Sequence, residues 1–221
     1  MKSTSRRWEL LCLLFAFLLT RAHGQNTSCS SSEFSFETLN QKLKDMKNYL
    51  ESVSDKWATY QIAKIYTQLH MLTDIIQKQQ NKDLQRFLPK NCTAPIVPED
   101  GGLLCVSVTN KAYCKPMCNA GYDFSFIRRS RLYEECSAAT QHKWTTQFIG
   151  GNSLATCSKS HIMVAGAPSA YFPEVHDCHK IKSDEQQTED ITKTFLSELA
   201  TAGIRESFDS SRLFCGNKNI N

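Results

Sequence analysis

The stretch "YCKPMCNAGYDF", Tyr113 to Phe124, places two cysteines four positions apart, Cys114 and Cys118, just before a Gly-Tyr pair. In a reducing compartment such closely spaced thiols are typical of a zinc site or a redox pair. In an exported protein they are typical of disulfides. The chemistry of this stretch, and the fold around it, therefore depends on where the chain folds.

The N-terminus of the 221-residue chain has the layout of a secretory signal peptide. Basic residues lie near the start, an apolar run extends from Leu10 to Leu19, and Ala22 and Gly24 offer small residues for cleavage. The run is too short for a membrane span, which needs roughly twenty residues. We therefore expect residues 1–24 to be a signal peptide and the product to be soluble and secreted, with no membrane span.

The charge and the glycosylation motifs fit an extracellular protein. Residues 25–221 contain 22 Lys and Arg against 21 Asp and Glu. This near-neutral balance gives no electrostatic reason to expect nucleic acid as a partner. The sequons Asn26-Thr27-Ser28 and Asn91-Cys92-Thr93 predict N-glycosylation at Asn26 and Asn91.

The composition of residues 35–89 is typical of a helical segment, because they contain no cysteine, no glycine and no proline before Pro89. Ser35 or Thr38 can cap the start, Asn81 can cap a second short helix, and Pro89 ends it. Apolar residues recur at steps of three and four, with a phase slip at Tyr60–Ile62; the two series are Leu39, Leu43, Met46, Leu50, Val53, Trp57 and Tyr60, then Ile62, Ile65, Leu69, Leu72 and Ile76. Such a seam must be buried. Two outcomes are open: a parallel coiled coil with other copies of the chain, or an intramolecular hairpin broken near the phase slip.

Two further segments differ from the helical one in their residue pattern. From Cys92 to Cys157 short runs such as "GLLCVSV" and "KWTTQFI" lie between turn residues and predict β-strands. The tail, residues 158–221, is irregular except for a helix at about 184–202, with Ser183 and Gln186 as a capping box. The expected fold class is α+β in several segments: a coiled-coil-like helical segment (25–90), a small disulfide-rich β module (91–157) and the tail (158–221).

The cysteine-rich segment resembles the sushi module, also called the complement control protein repeat. The resemblance is carried by "CTAP" at Cys92, "CNAGYDF" at Cys118, "LYEEC" ending at Cys136, and Trp144 ahead of "ATC" at Cys157. It implies a small, β-rich extracellular unit. In that family the first cysteine pairs with the third and the second with the fourth, which implies Cys92–Cys136 and Cys118–Cys157. Cys105 and Cys114 depart from the basic pattern, and the resemblance to modules with an extra bridge implies Cys105–Cys114.

Nine cysteines follow the signal peptide, so one is left without a partner inside the chain. Cys178 and Cys215 flank the tail helix and could pair, which would leave Cys29 as an interchain or free cysteine. The rival reading pairs Cys29 with Cys215 and leaves Cys178 free.

The sequence gives no pattern typical of an enzyme, and we expect neither catalysis, nor a cofactor, nor a metal. It contains no Gly-x-Ser-x-Gly elbow and no His-Glu-x-x-His motif. Glu134 and Glu135 are adjacent, so on a strand they point to opposite faces. The most metal-like cluster consists of adjacent residues that cannot all face one ion: His176, Asp177, Cys178 and His179, with His161 upstream.

Arg128, Arg129 and Arg131 form the one concentrated basic feature of the β module. They could bind a sulfated glycan or an acidic partner, form a solvated loop, or mark an R-x-x-R processing site.

The function we expect is a non-enzymatic extracellular binding or adhesion protein, in which the β module recognises a protein or sulfated glycan and the helical segment forms a homo-oligomer. The alternatives are a soluble signalling factor whose helices engage a receptor, and a modulator of an extracellular enzyme.

Overall fold

The computed structural model describes residues 35–146 and 150–218. The predicted signal peptide, Asn26 and Cys29 lie outside these residues. The chain divides into two compact units, Met1–Gln68 and Leu69–Asn221. The fold is a mixture of helices and sheet with four disulfides.

Two helices occupy the segment that the sequence predicts to be helical. Helix α1, Phe36–Val53, begins where the Ser35 hydroxyl accepts the Thr38 N–H, so Ser35 is the cap. A 3-10 turn, Ser54–Lys56, follows it. Helix α2 then runs over Thr59–Phe87, and Pro89 lies two residues beyond its end.

The break between these helices is not where the hydrophobic pattern placed it. It lies at Ser54–Ala58, ahead of the phase slip at Tyr60–Ile62, and α2 continues through Asn81 without a new start. Ser and Asp side chains favour turns and caps over helix interiors, which accounts for a break at Ser54 and Asp55. The side chain of Gln61 then accepts the Ala58 N–H at 2.9 Å and starts α2 as one half of a capping box.

Six strands and two further helices make up the remainder. The strands are β1 Gly101–Val108, β2 Lys111–Cys118, β3 Tyr122–Phe124, β4 Glu134–Cys136, β5 Cys157–Lys159 and β6 Ser210–Cys215, and the helices are α3 Cys178–Lys182 and α4 Glu185–Thr201. One sheet has the order β4-β2-β1-β6 with antiparallel pairs, and β3 pairs with β5 in a second sheet. Asn110, at a φ of 64°, forms part of the tight turn between β1 and β2, a conformation that Asn tolerates.

Strand β1 is buried on both faces, which explains its nearly continuous apolar sequence. Leu103 and Cys105 face one layer, whose other members include Leu84, Leu88, Trp144, Leu154 and Phe214. Leu104 and Val106 face the opposite layer, which includes Phe172, Ile181, Phe195, Leu199 and Leu213.

The segment 158–221 supplies one strand of the four-stranded sheet and both helices of this part of the chain. Strand β6 pairs with β1, and α3 and α4 cover one face of the sheet. Helix α4 lies where the sequence predicts a helix, but its cap is Asp184, which accepts the Gln187 N–H, and not Ser183. The division at residue 157 stays a prediction, and the structure adds that the sheet extends across it.

The disulfides join Cys92 to Cys136, Cys105 to Cys114, Cys118 to Cys157 and Cys178 to Cys215. These are the pairs that the resemblance implied, together with the first of the two readings of the tail. Gly101 and Gly102 have no room for a side chain: a Cβ on Gly101 would lie 2.8 Å from Cys157 Sγ, and one on Gly102 would lie 2.5 Å from Cys178 Sγ. Across residues 35–146 and 150–218, no helix combines the length and apolar content needed to cross a membrane.

Candidate functional site

Two loops flank the small β3–β5 sheet, and because its strands are antiparallel, the loops leave from opposite ends of it. We call residues 125–133, which follow β3, and residues 160–167, which follow β5, the loop pair. Ser125 N–H donates to Thr156 O at 3.1 Å, and Arg128 N–H donates to Ala165 O at 2.5 Å. The first of these bonds continues the β3–β5 pairing by one step, and the second joins the two loops, because the loop after β5 folds back toward the loop after β3.

A buried carboxylate fixes the second loop to strand β3. Asp123, at the centre of β3, accepts the N–H groups of Val164 at 2.9 Å and Ala165 at 3.0 Å, as well as the hydroxyl of Tyr171. Burial by itself raises the pKa of Asp123, but the Tyr171 hydroxyl and the backbone donors outweigh it, and the pKa lies below its ordinary value. The Asp123 carboxylate therefore has a structural role, because its oxygens already accept hydrogen bonds from within the protein.

A second buried carboxylate, Glu134 on β4, holds the first loop. Arg131 donates to it through Nε and Nη2, at 2.9 and 2.7 Å, and Arg128 Nη1 lies 3.0 Å from Glu134 Oε1. Arg128 also donates to Leu154 O at 2.9 Å. Burial lowers the pKa of Arg128, and the neighbouring Glu134 opposes that shift. Two cations share one anion here, so the group keeps a net positive charge.

The structure places Arg128, Arg129 and Arg131 in different environments. The side chains of Arg128 and Arg131 are 7% and 19% exposed, because both pair with the buried Glu134, whereas Arg129 is exposed. Sequence reasoning missed the role of Glu134. The available signal was the alternation of β4, which turns Glu134 toward the interior and Glu135 outward.

The other predicted site residues are distributed over the molecule. Asn91 is exposed in the turn after α2. Cys178 is in a disulfide, Asp177 caps α3 and meets Lys218 at 3.0 Å, and His179 Nε2 lies 3.0 Å from Gly216 O. Within the described ranges no group of three or more His, Cys, Asp or Glu side chains could hold a metal ion.

A separate candidate surface is the apolar stripe of α1. Phe36, Leu39 and Leu43 lie on one side of this helix and are 76%, 41% and 43% exposed. No residue of α1 is buried. Apolar residues spaced by three and four form a continuous strip along a helix, and covering that strip removes apolar surface from water, which is favourable. The stripe is therefore a surface to which another helix could bind.

No protein-family model, curated protein or solved structure matches the chain.

Proposed function

We propose that the chain is a secreted, glycosylated, non-enzymatic binding protein that works as a homo-oligomer. The disulfide-rich β domain supplies the recognition surface, and the helical segment joins copies of the chain. The observation that carries the assembly is the apolar stripe of α1, which repeats at heptad spacing through Phe36, Leu39, Leu43, Met46, Leu50 and Val53. Its first three members are exposed and the other three are half-buried.

Several features support an extracellular setting and a sushi-like module within this proposal. Four disulfides are typical of chains that fold in an oxidising compartment. Three of them have the order that the sushi resemblance implies, and Trp144 packs in the same core as the Cys92–Cys136 bridge. Joining several copies of a weak module raises its effective affinity without any new contact.

The assembly is tested with the full secreted chain, by light scattering coupled to size-exclusion chromatography. Wild type should have a mass of two or more chains. Leu43→Glu places a charge in the stripe, so we expect it to weaken association at least about tenfold. Asn48→Glu is the matched control, because it adds the same charge to the opposite side of α1 and should leave the mass unchanged.

Cys29 is tested separately. Gel electrophoresis with and without reductant, on wild type and Cys29→Ser, shows whether that residue links chains covalently. A wild-type monomer at every concentration would overturn the oligomer and favour the reading in which the helices engage a receptor. An oligomer that tolerates Leu43→Glu would show that α1 is not the interface.

A further inference from the structure

Three aliphatic side chains of the loop pair are exposed to a degree that folding does not explain. Ile127 is 75% exposed, Ile162 is 66% exposed and Val164 is 58% exposed. The hydrogen bond between Arg128 N–H and Ala165 O brings their immediate neighbours Ile127 and Val164 to the same end of the domain. The three residues therefore present apolar surface from two adjacent loops.

The backbone that carries them is held in place. The Ser160 hydroxyl donates to Ile162 O at 2.6 Å and accepts the Ile162 N–H at 3.2 Å. Asp123 binds the N–H groups of Val164 and Ala165, and Glu134 binds the arginines beyond Ile127. A fixed backbone presents these side chains without the entropic cost of ordering them on binding.

The charge around the exposed residues has one sign. The loop pair contains three Arg and no Asp, Glu or Lys, and Lys159 immediately precedes its second loop. Arg129 and Lys159 are exposed, as is His161. Asp123 and Glu134, which bind the two loops, are buried and already bound by the donors described above.

We propose that the loop pair binds an anionic phospholipid surface, with Ile127, Ile162 and Val164 entering the interface. Arg129 of the first loop and Lys159, the last residue of β5, meet the headgroups. Exposed aliphatic side chains beside basic ones match the boundary between acyl chains and anionic headgroups. A sulfated glycan would use the charges but would leave the aliphatic side chains in water, so the lipid surface accounts for more of what the loops present. This inference gives a partner to the recognition role proposed above.

The test is co-sedimentation of the full secreted protein with phosphatidylcholine vesicles, prepared with and without phosphatidylserine. Wild type should bind only when phosphatidylserine is present, and less at high salt. The double variant Ile127→Ser/Ile162→Ser should lose at least about tenfold in binding, because less apolar area enters the interface. Arg129→Gln and Lys159→Gln should each lower binding about fivefold.

The matched control is Ile96→Ser/Val175→Ser, which removes aliphatic residues of similar exposure, 63% and 75%, from outside the loop pair. It should bind as wild type does, and thermal unfolding of all variants checks that the fold is kept. Equal loss in the control and the loop variant would overturn the inference. Retention on heparin without vesicle binding would also overturn it and assign the basic residues to a glycan.

The oligomer and the lipid surface can fail independently. Leu43→Glu should reduce vesicle binding by loss of avidity alone, and the remaining binding should still require Ile127 and Ile162. If wild type is an oligomer but does not bind vesicles that contain phosphatidylserine, the lipid-binding proposal is wrong and the oligomer proposal stands. If wild type is a monomer and binds these vesicles through Ile127 and Ile162, only the oligomer proposal is wrong.

Discussion

At the scale of single residues, two buried carboxylates determine how the loop pair is presented. Asp123 binds backbone donors of the second loop, and Glu134 binds two arginines of the first. A buried charge is tolerated only when it is paired or fully hydrogen-bonded, and both carboxylates meet that condition. Their contribution to function is therefore indirect: they hold the backbone from which Ile127, Ile162 and Val164 project.

Asp123 should make the stability of the domain depend on pH. The pKa of this carboxyl is about 3.9 in the unfolded chain and lower in the folded protein. Its stabilising effect is therefore complete above about pH 4 and is lost as the pH falls through the folded pKa. We expect Asp123→Asn to cost about 1–3 kcal/mol at neutral pH and to flatten the loss of stability in acid, as measured by urea unfolding at a series of pH values.

The matched control for this change is Asp190→Asn on the exposed surface of α4, which should alter the neutral-pH free energy of unfolding by no more than about 0.5 kcal/mol. Identical acid profiles for wild type and Asp123→Asn would show that the clip around Asp123 does not contribute to stability.

At the scale of elements, α2 protects the edge of the sheet. Strand β6 is the last strand of the order β4-β2-β1-β6, so its outer backbone groups need partners. The side-chain amide of Gln80 supplies them at Cys215: its Nε2 donates to Cys215 O at 2.6 Å, and its Oε1 accepts the Cys215 N–H at 3.0 Å. One glutamine thereby imitates a neighbouring strand.

We expect Gln80→Ala to lower the free energy of unfolding by about 1–3 kcal/mol, because it leaves two backbone groups of Cys215 unpaired. Hydrogen exchange should show faster exchange of the Cys215 amide. Gln79→Ala is the control: this neighbour is exposed and bonds only to Asp83 of the same helix. Unchanged exchange at Cys215 in the Gln80 variant would contradict the edge-pairing role.

At the scale of the whole molecule, the β domain is completed by sequence far from its first strands. Leu104, Val106, Tyr113 and Met117 pack against residues of α3, α4 and β6. The Cys178–Cys215 bridge joins the same elements. The segment resembling a sushi module therefore shares its core with the tail.

We expect a fragment of residues 91–157 to lack a cooperative thermal transition even with its three disulfides formed. Without the tail it exposes one full face of the sheet and leaves β1 as an unpaired edge. Residues 69–218 should unfold cooperatively under the same conditions, and calorimetry distinguishes the two. A cooperative transition in the short fragment would show that the module is autonomous.

Local patterns were sufficient for much of this fold. The helical segment, the cap at Ser35, the end at Pro89, the tail helix and the β-rich texture around Cys92–Cys157 follow from residue spacing and turn chemistry, which act over a few neighbouring positions. The cysteine pairs within that segment came from the order of motifs, since spacing alone leaves the connectivity open.

Only the tertiary structure decided what depends on contacts distant in sequence. The pairing of β6 with β1, the use of Gln80 as an edge partner, and the inward position of Arg128 each join residues that no local period relates. The same holds for "YCKPMCNAGYDF": its sequence determined that two cysteines and a Gly-Tyr turn lie close together. The fold decided that Asp123, which follows both cysteines in this stretch, binds the backbone of the second loop and holds its exposed aliphatic residues in place. Burial and pairing of charge are properties of the assembled core, because they depend on which side chains the folded backbone brings together.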